Sequence, residues 1–102
     1  MIDILIIGGG PAGLTAAIYA ARAGRTVTLC ERETLGGQIT QSPQVDNYPG
    51  IPRISGMELS DAFCAQAMDA GAEIAFTSVE SLVCNPDGTF TAQTDDEPID
   101  AK

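Results

Sequence analysis

Five residues between 8 and 13 of this 102-residue chain stand out for what they could bind rather than for what they could catalyse. Gly8, Gly10 and Gly13 form a Gly-x-Gly-x-x-Gly pattern that also holds Pro11 and Ala12. Glycine is costly inside a strand or a helix, so a cluster of it where an apolar run ends and a helical run begins demands a reason. The pattern alone is weak, since glycine-rich turns are common. Here it follows the β-branched run "IDILII" and precedes a helical pattern. Glu31 stands after a second run, "TVTLC", 18 residues beyond Gly13. That context points to a dinucleotide. Gly8 permits the tight turn, Gly10 lets a pyrophosphate lie against the backbone, and Gly13 lets helix and sheet pack closely. Pro11 suits the first helical turn, and the helix N-terminus offers free amides and partial positive charge to phosphate. A carboxylate at Glu31 can accept both hydroxyls of an adenosine ribose and would repel a 2′-phosphate. Spacing does not separate FAD from NAD.

The elements that must hold these residues follow from periodicity. Residues 2–7 read as a strand covered on both faces, as in a parallel sheet. Residues 11–23 read as a helix with Leu14, Ala17, Ile18 and Ala21 inward and Thr15, Tyr19 and Arg22 outward; Gly24 ends it. Residues 26–30 complete a β-α-β unit. Residues 31–54 are rich in glycine and proline and predict a long functional loop. Ser55 predicts the cap of a helix over 56–70, ended by Gly71, with Leu59, Phe63, Ala67 and Ala70 on one face. Met57, Cys64 and Met68 form a second stripe, read as core packing ahead of flavin contact. A third strand is expected at 72–76. "VESLVC" and "TFTAQT" flank the turn signal "NPDG", and "DDEPIDAK" reads as a polar end.

Composition limits the chemistry. There is no histidine, which removes a histidine base or metal ligand. The net charge is -9, with -1 over residues 1–50 and -8 over residues 51–102. So acidic a chain would repel nucleic acid and anionic lipid. Cys30, Cys64 and Cys84 have neither Cys-x-x-Cys nor zinc spacing. They are expected to be buried and reduced, as suits a cytoplasmic protein. No stretch approaches a membrane span, and with a strand read directly after Met1 no signal peptide is expected.

A resemblance narrows the dinucleotide. "GGGPAGLTAAIYAAR", then an acid, then "GGQI" at 36–39 and "VDNYPG" at 45–50, resembles the FAD half of low-molecular-weight thioredoxin reductases. The order and spacing match from residue 2 to about residue 84. The resemblance implies an α/β, Rossmann-like three-layer FAD-binding domain with a parallel sheet plus a β-hairpin or meander. It implies FAD pyrophosphate on the turn from Gly8 to Gly13 and adenosine ribose on Glu31. Gly36, Gly37 and Gln38 would run along ribitol and flavin, Asn47 would lie beside the isoalloxazine, and the Val79 backbone would meet adenine. NADPH would bind in a separate domain, and a thioredoxin-like disulfide protein would receive the electrons. The parent enzyme would be a homodimer. Residues 1–102 are accordingly expected to be the N-terminal part of that domain, a fragment inactive alone. A non-catalytic dinucleotide-binding module, or the FAD domain of a ferredoxin–NADP reductase of similar architecture, is the alternative. No residue reads as a catalytic acid, base or nucleophile.

Overall fold

In the computed structural model, which describes residues 1–102, the β-α-β unit is where the periodicity puts it. β1 (Ile4–Ile7) leads through α1 (Pro11–Arg22) to β2 (Val27–Cys30), and the two strands pair in parallel, Ile4 opposite Val27 and Ile7 opposite Cys30. A helix between paired parallel strands is the connection that a right-twisted sheet favours. After the long loop comes α2 (Gly56–Asp69), then β3 (Glu73–Ala75), which pairs in parallel with the other edge of β2. β2 is thus the central strand, and all four of its residues are buried. α1 and α2 pack on each other and close one face of this sheet. Leu14 of α1, Leu29 of β2 and Leu59 of α2 are its most deeply buried large side chains, with Ala17, Ile18, Phe63 and Ala67 around them.

The cover expected on both faces of β1 is incomplete. Ile4 and Ile7 remain 37% and 55% exposed. Beyond them lies the second sheet, an antiparallel meander of β4 (Val79–Cys84), β5 (Phe90–Thr94) and β6 (Ile99–Ala101). An apolar cavity of about 290 Å³ separates Ile4, Leu5 and Ile7 from Leu82, Phe90 and Ala101. The meander therefore supplies a third layer without closing it.

The β4–β5 turn falls on Asn85–Gly88, where the Asn85 N–H donates to the Thr89 carbonyl at 2.8 Å. β6 has no counterpart in the sequence reading. Its three residues lie in a polar segment, and they are a strand because β5 pairs on one side and Ile2 bridges on the other. The Lys102 N–H donates to the Ile2 carbonyl at 3.0 Å, and Lys102 Nζ stands 3.0 Å from Asp3. The Asp3 carboxylate also accepts from the Thr26 N–H at 2.9 Å and its hydroxyl at 3.1 Å. Hydrogen bonds from Thr26, then from Lys102, hold the Asp3 carboxyl down at about 2.

Two expectations about side chains need correction. Cys30 and Cys64 are buried, but Cys84 is exposed, because β4 presents most of its residues to solvent. Met57 and Met68 are also exposed, so only Cys64 of that stripe packs into the core. The single inward face of α2 is the one through Leu59, Phe63 and Ala67.

Candidate functional site

The β1–α1 turn is held by backbone geometry. Gly8 has φ +105, a conformation that a side chain rarely adopts. Its N–H donates to the Cys30 carbonyl at 2.8 Å, so the turn leaves the sheet at the end of β2. Gly13 is fixed by packing, since a Cβ there would stand 1.9 Å from the Gly8 carbonyl oxygen. Gly10 differs from both. Its dihedrals, φ -78 and ψ -172, are ordinary extended backbone, and a Cβ there meets no atom within 4 Å. Nothing inside the protein asks for glycine at this position.

Gly10 is also the N-cap of α1, and no side chain caps that helix. Pro11 has no N–H, and the amides of Ala12 and Gly13 have no backbone or side-chain acceptor. Two unpaired donors and the positive end of the helix dipole thus point out of the turn beside open space.

Glu31 follows β2 and reaches this turn. Its Oε1 accepts from the Gly9 N–H at 2.8 Å and its Oε2 from the Glu33 N–H at 2.8 Å. On one side of Glu31 is a cavity of about 200 Å³ lined by Ile7, Gly8, Cys30, Arg32, Thr77 and Val79. On the other is a polar cavity of about 130 Å³ whose walls include Thr34, Gly37, Gln38 and Thr40. The Gly36-Gly37 pair lies against both the turn and α2. The Gly36 N–H donates to the Gly9 carbonyl at 2.7 Å, and a Cβ on Gly37 would be 3.2 Å from Gly10 Cα. A Cβ on Gly36 would strike the buried Ser60. The protein itself therefore explains that glycine pair.

Glu31 borders both cavities, Gly8 and Val79 line the larger and Gly37 and Gln38 the smaller, while Gly10, Pro11, Ala12 and Gly13 of the turn, and Gly36, line neither. Asn47 stands apart, exposed on the loop that the Val45–Ile54 bridge closes, and it borders neither cavity. Sequence reasoning passed over Gly9, Arg32 and Thr77. Gly9 is buried, and a Cβ there would come within 2.7 Å of Leu35 Cδ1. Its place as an unspecified position of the glycine pattern concealed it. Arg32 carried a signal in standing next to Glu31. Thr77 carried none, because its place comes from the link between β3 and β4, where its hydroxyl donates to Asp95. Cys30 also lines the larger cavity, and burial pushes its thiol up, away from thiolate chemistry.

Comparison with known proteins gives this site a family. Residues 3–81 match the family model described as FAD dependent oxidoreductase. The chain belongs to the FAD dependent oxidoreductase family. It is 43% identical over 81 residues to the thioredoxin reductase of Listeria monocytogenes, a match covering 79% of this chain and 25% of that protein. It is 42% identical over 81 residues to the thioredoxin reductase of Bacillus subtilis, covering 79% of this chain and 26% of that one. The crystal structure of Lactococcus lactis thioredoxin reductase superimposes with a TM-score of 0.95 at 36% identity, covering 100% of this chain and 33% of that one. The resemblance carried by "GGQI" and "VDNYPG" is thereby borne out. The chain spans about a quarter of the length of the curated relatives.

Proposed function

We propose that residues 1–102 are the N-terminal part of the FAD-binding domain of a thioredoxin reductase-like enzyme. The observation that carries this is Gly10. Glycine there is required by no φ angle and no neighbouring atom, at the uncapped start of a helix. A ligand that needs the space and the free amides explains it, and a pyrophosphate suits both. FAD fits the rest of the site. The turn from Gly8 to Gly13, with Pro11 and Ala12, would hold its pyrophosphate, and Glu31 its adenosine ribose. Val79 would meet the adenine through its backbone from the larger cavity. Gly37 and Gln38, in the smaller cavity, and Gly36 beside them would run toward ribitol and flavin. Asn47 would reach the isoalloxazine from its own loop.

When bound, FAD supplies the hydride and electron chemistry. This chain's residues bind and orient it, and the Glu31 carboxylate disfavours a 2′-phosphate. In the whole enzyme NADPH would be the reductant and a disulfide protein of the thioredoxin kind the acceptor, with two identical subunits. The buried thiols of Cys30 and Cys64 suit a reducing, cytoplasmic setting. Residues 1–102 contain no Cys-x-x-Cys and no second glycine fingerprint, so electrons have neither source nor exit. We therefore expect the isolated chain to bind FAD loosely and to turn nothing over. Titrating FAD into the labelled chain should shift the Ala12 and Gly13 amide resonances, dialysis should remove the flavin, and NADPH should reduce no disulfide. Unmoved Ala12 and Gly13 resonances would count against the site; flavin retained on dialysis would count against loose binding.

A further inference from the structure

Glu31 grips the phosphate turn before any ligand is present. The Gly9 residue is held at both of its polar groups: Glu31 Oε1 accepts its N–H at 2.8 Å, and its carbonyl accepts the Gly36 N–H at 2.7 Å. Glu31 is the one side chain whose acceptor reaches an amide of the turn. Its own carboxylate is fixed in turn by the Glu33 N–H on Oε2 at 2.8 Å. Contact reinforces the bond, since a Cβ on Gly9 would be 3.2 Å from Glu31 Cβ and 3.0 Å from Leu29 Cδ2. The carboxylate, the Gly9 residue and the end of β2 form one packed unit. Gly10, next in the chain, caps α1, so the orientation of the Gly9–Gly10 peptide aims the start of that helix.

We propose that Glu31 is a positioning residue for the phosphate turn as well as a ribose ligand. It fixes the Gly8–Gly9 peptide, whose N–H it accepts, while the Gly36 N–H secures the Gly9–Gly10 peptide that follows. By holding Gly9 it sets the direction of the free Ala12 and Gly13 amides in the conformation that receives a diphosphate. Its ligand-facing consequence rests on the FAD-site reading; the clamp itself does not. The two roles are compatible. Each ionised carboxylate oxygen has acceptor capacity beyond one hydrogen bond, so Oε1 can hold Gly9 and Oε2 Glu33 while both still accept ribose hydroxyls. Ribose recognition and phosphate recognition are then coupled through one side chain. Removing it weakens a diphosphate ligand even when that ligand has no ribose hydroxyl to lose.

Two probes separate this from a ribose contact alone. ADP and 2′,3′-dideoxyadenosine diphosphate are titrated into the wild-type chain, Glu31→Gln and Glu31→Ala, followed by the Ala12 and Gly13 amide resonances. With a ribose contact alone, Glu31→Ala leaves the affinity for the dideoxy probe unchanged, which overturns the proposal. With the clamp, Glu31→Ala weakens that probe about tenfold, the scale of one charge-assisted hydrogen bond. Glu31→Gln then recovers part of the loss, because its amide oxygen still accepts the Gly9 N–H. Hydrogen exchange without ligand is the second arm. Gly9 and Glu33 amides should exchange faster in Glu31→Ala while Leu29, mid-strand in β2, stays protected. Unchanged Gly9 exchange, or lost protection throughout β2, overturns the clamp. If neither probe binds the wild-type chain, the FAD-site reading fails, and the exchange arm still decides the clamp.

Discussion

The two α-helices of this chain begin in opposite ways. α2 starts on Ser55, whose Oγ accepts the Glu58 N–H at 3.1 Å while its hydroxyl donates to Glu58 Oε1 at 2.9 Å. Serine at the cap satisfies one exposed amide, and glutamate three residues on accepts the cap hydroxyl and offsets the helix dipole from within. α1 starts on Gly10, with no capping side chain and no acid in its first turn. A glycine start forgoes roughly 0.3 kcal/mol relative to a capping side chain. The two starts differ in what surrounds them: α2 begins beside the loop that it packs against, and α1 begins at open space around Gly10. A helix that only needs to exist brings its own cap. One that has to receive an anion leaves that place open.

Substitutions can break this comparison, and the largest effect is expected at Gly13. A Cβ 1.9 Å from the Gly8 carbonyl oxygen cannot be accommodated unless α1 moves off β1. Gly13→Ala should destabilise the chain by about 3 kcal/mol, in the range of overpacked cores, measured as the shift in denaturant midpoint. A change under about 0.5 kcal/mol, the usual scale of a surface substitution, would mean that the turn yields easily and its geometry carries little meaning. Ser55→Ala should cost less, about 1 kcal/mol, and should leave ligand binding at α1 untouched. If Ser55→Ala were silent in thermal unfolding, the contrast between the helix starts would lose its energetic basis.

The smallest effect concerns the sheet edge where Asp3 holds Thr26 and Lys102. Its folded-state pKa, about 2, lies below the ordinary 3.8. The folded state therefore favours the charged form. The stabilisation is fully present above the ordinary value and fades as the pH falls through about 2. Asp3→Asn should remove that part of the acid dependence. An unchanged slope of stability between about pH 4 and pH 2 in Asp3→Asn would show that the Asp3 contacts contribute nothing to folding.

Much of this architecture is legible in the sequence because local and tertiary preferences agree. The β-branched runs of β1 and β2, the spacing of Leu14, Ala17 and Ile18, the Ser55 cap and the "NPDG" turn each specify locally what the fold then uses. Illegible features are those that depend on partners distant in sequence. β6 is a strand through β5 and Ile2. The short 3-10 turn at Gly37–Gln41 has Gly36 as its N-cap, and that residue is pressed against Ser60 of α2. The same division runs through the site. Gly8, Gly13 and Glu31 declare themselves by spacing. Gly9, Arg32 and Thr77 acquire their places only when the end of β2, the β1–α1 turn and the link before β4 come together. The exposure of Ile4 and Ile7 was hidden for a related reason: an apolar run reports that a face prefers cover, not that cover is complete.

The most direct test of the central claim gives α1 the cap it lacks. Gly10 already has extended dihedrals suited to an N-cap, and its Cβ position is open, so Gly10→Asp can place a carboxylate on the free amides without strain. If the start of α1 is left open for a diphosphate, that variant should gain about 0.5 kcal/mol of stability from the cap and the helix dipole and lose the FAD-induced shifts of Ala12 and Gly13. A variant that gains stability and still shows those shifts, or one that is destabilised, would contradict the account.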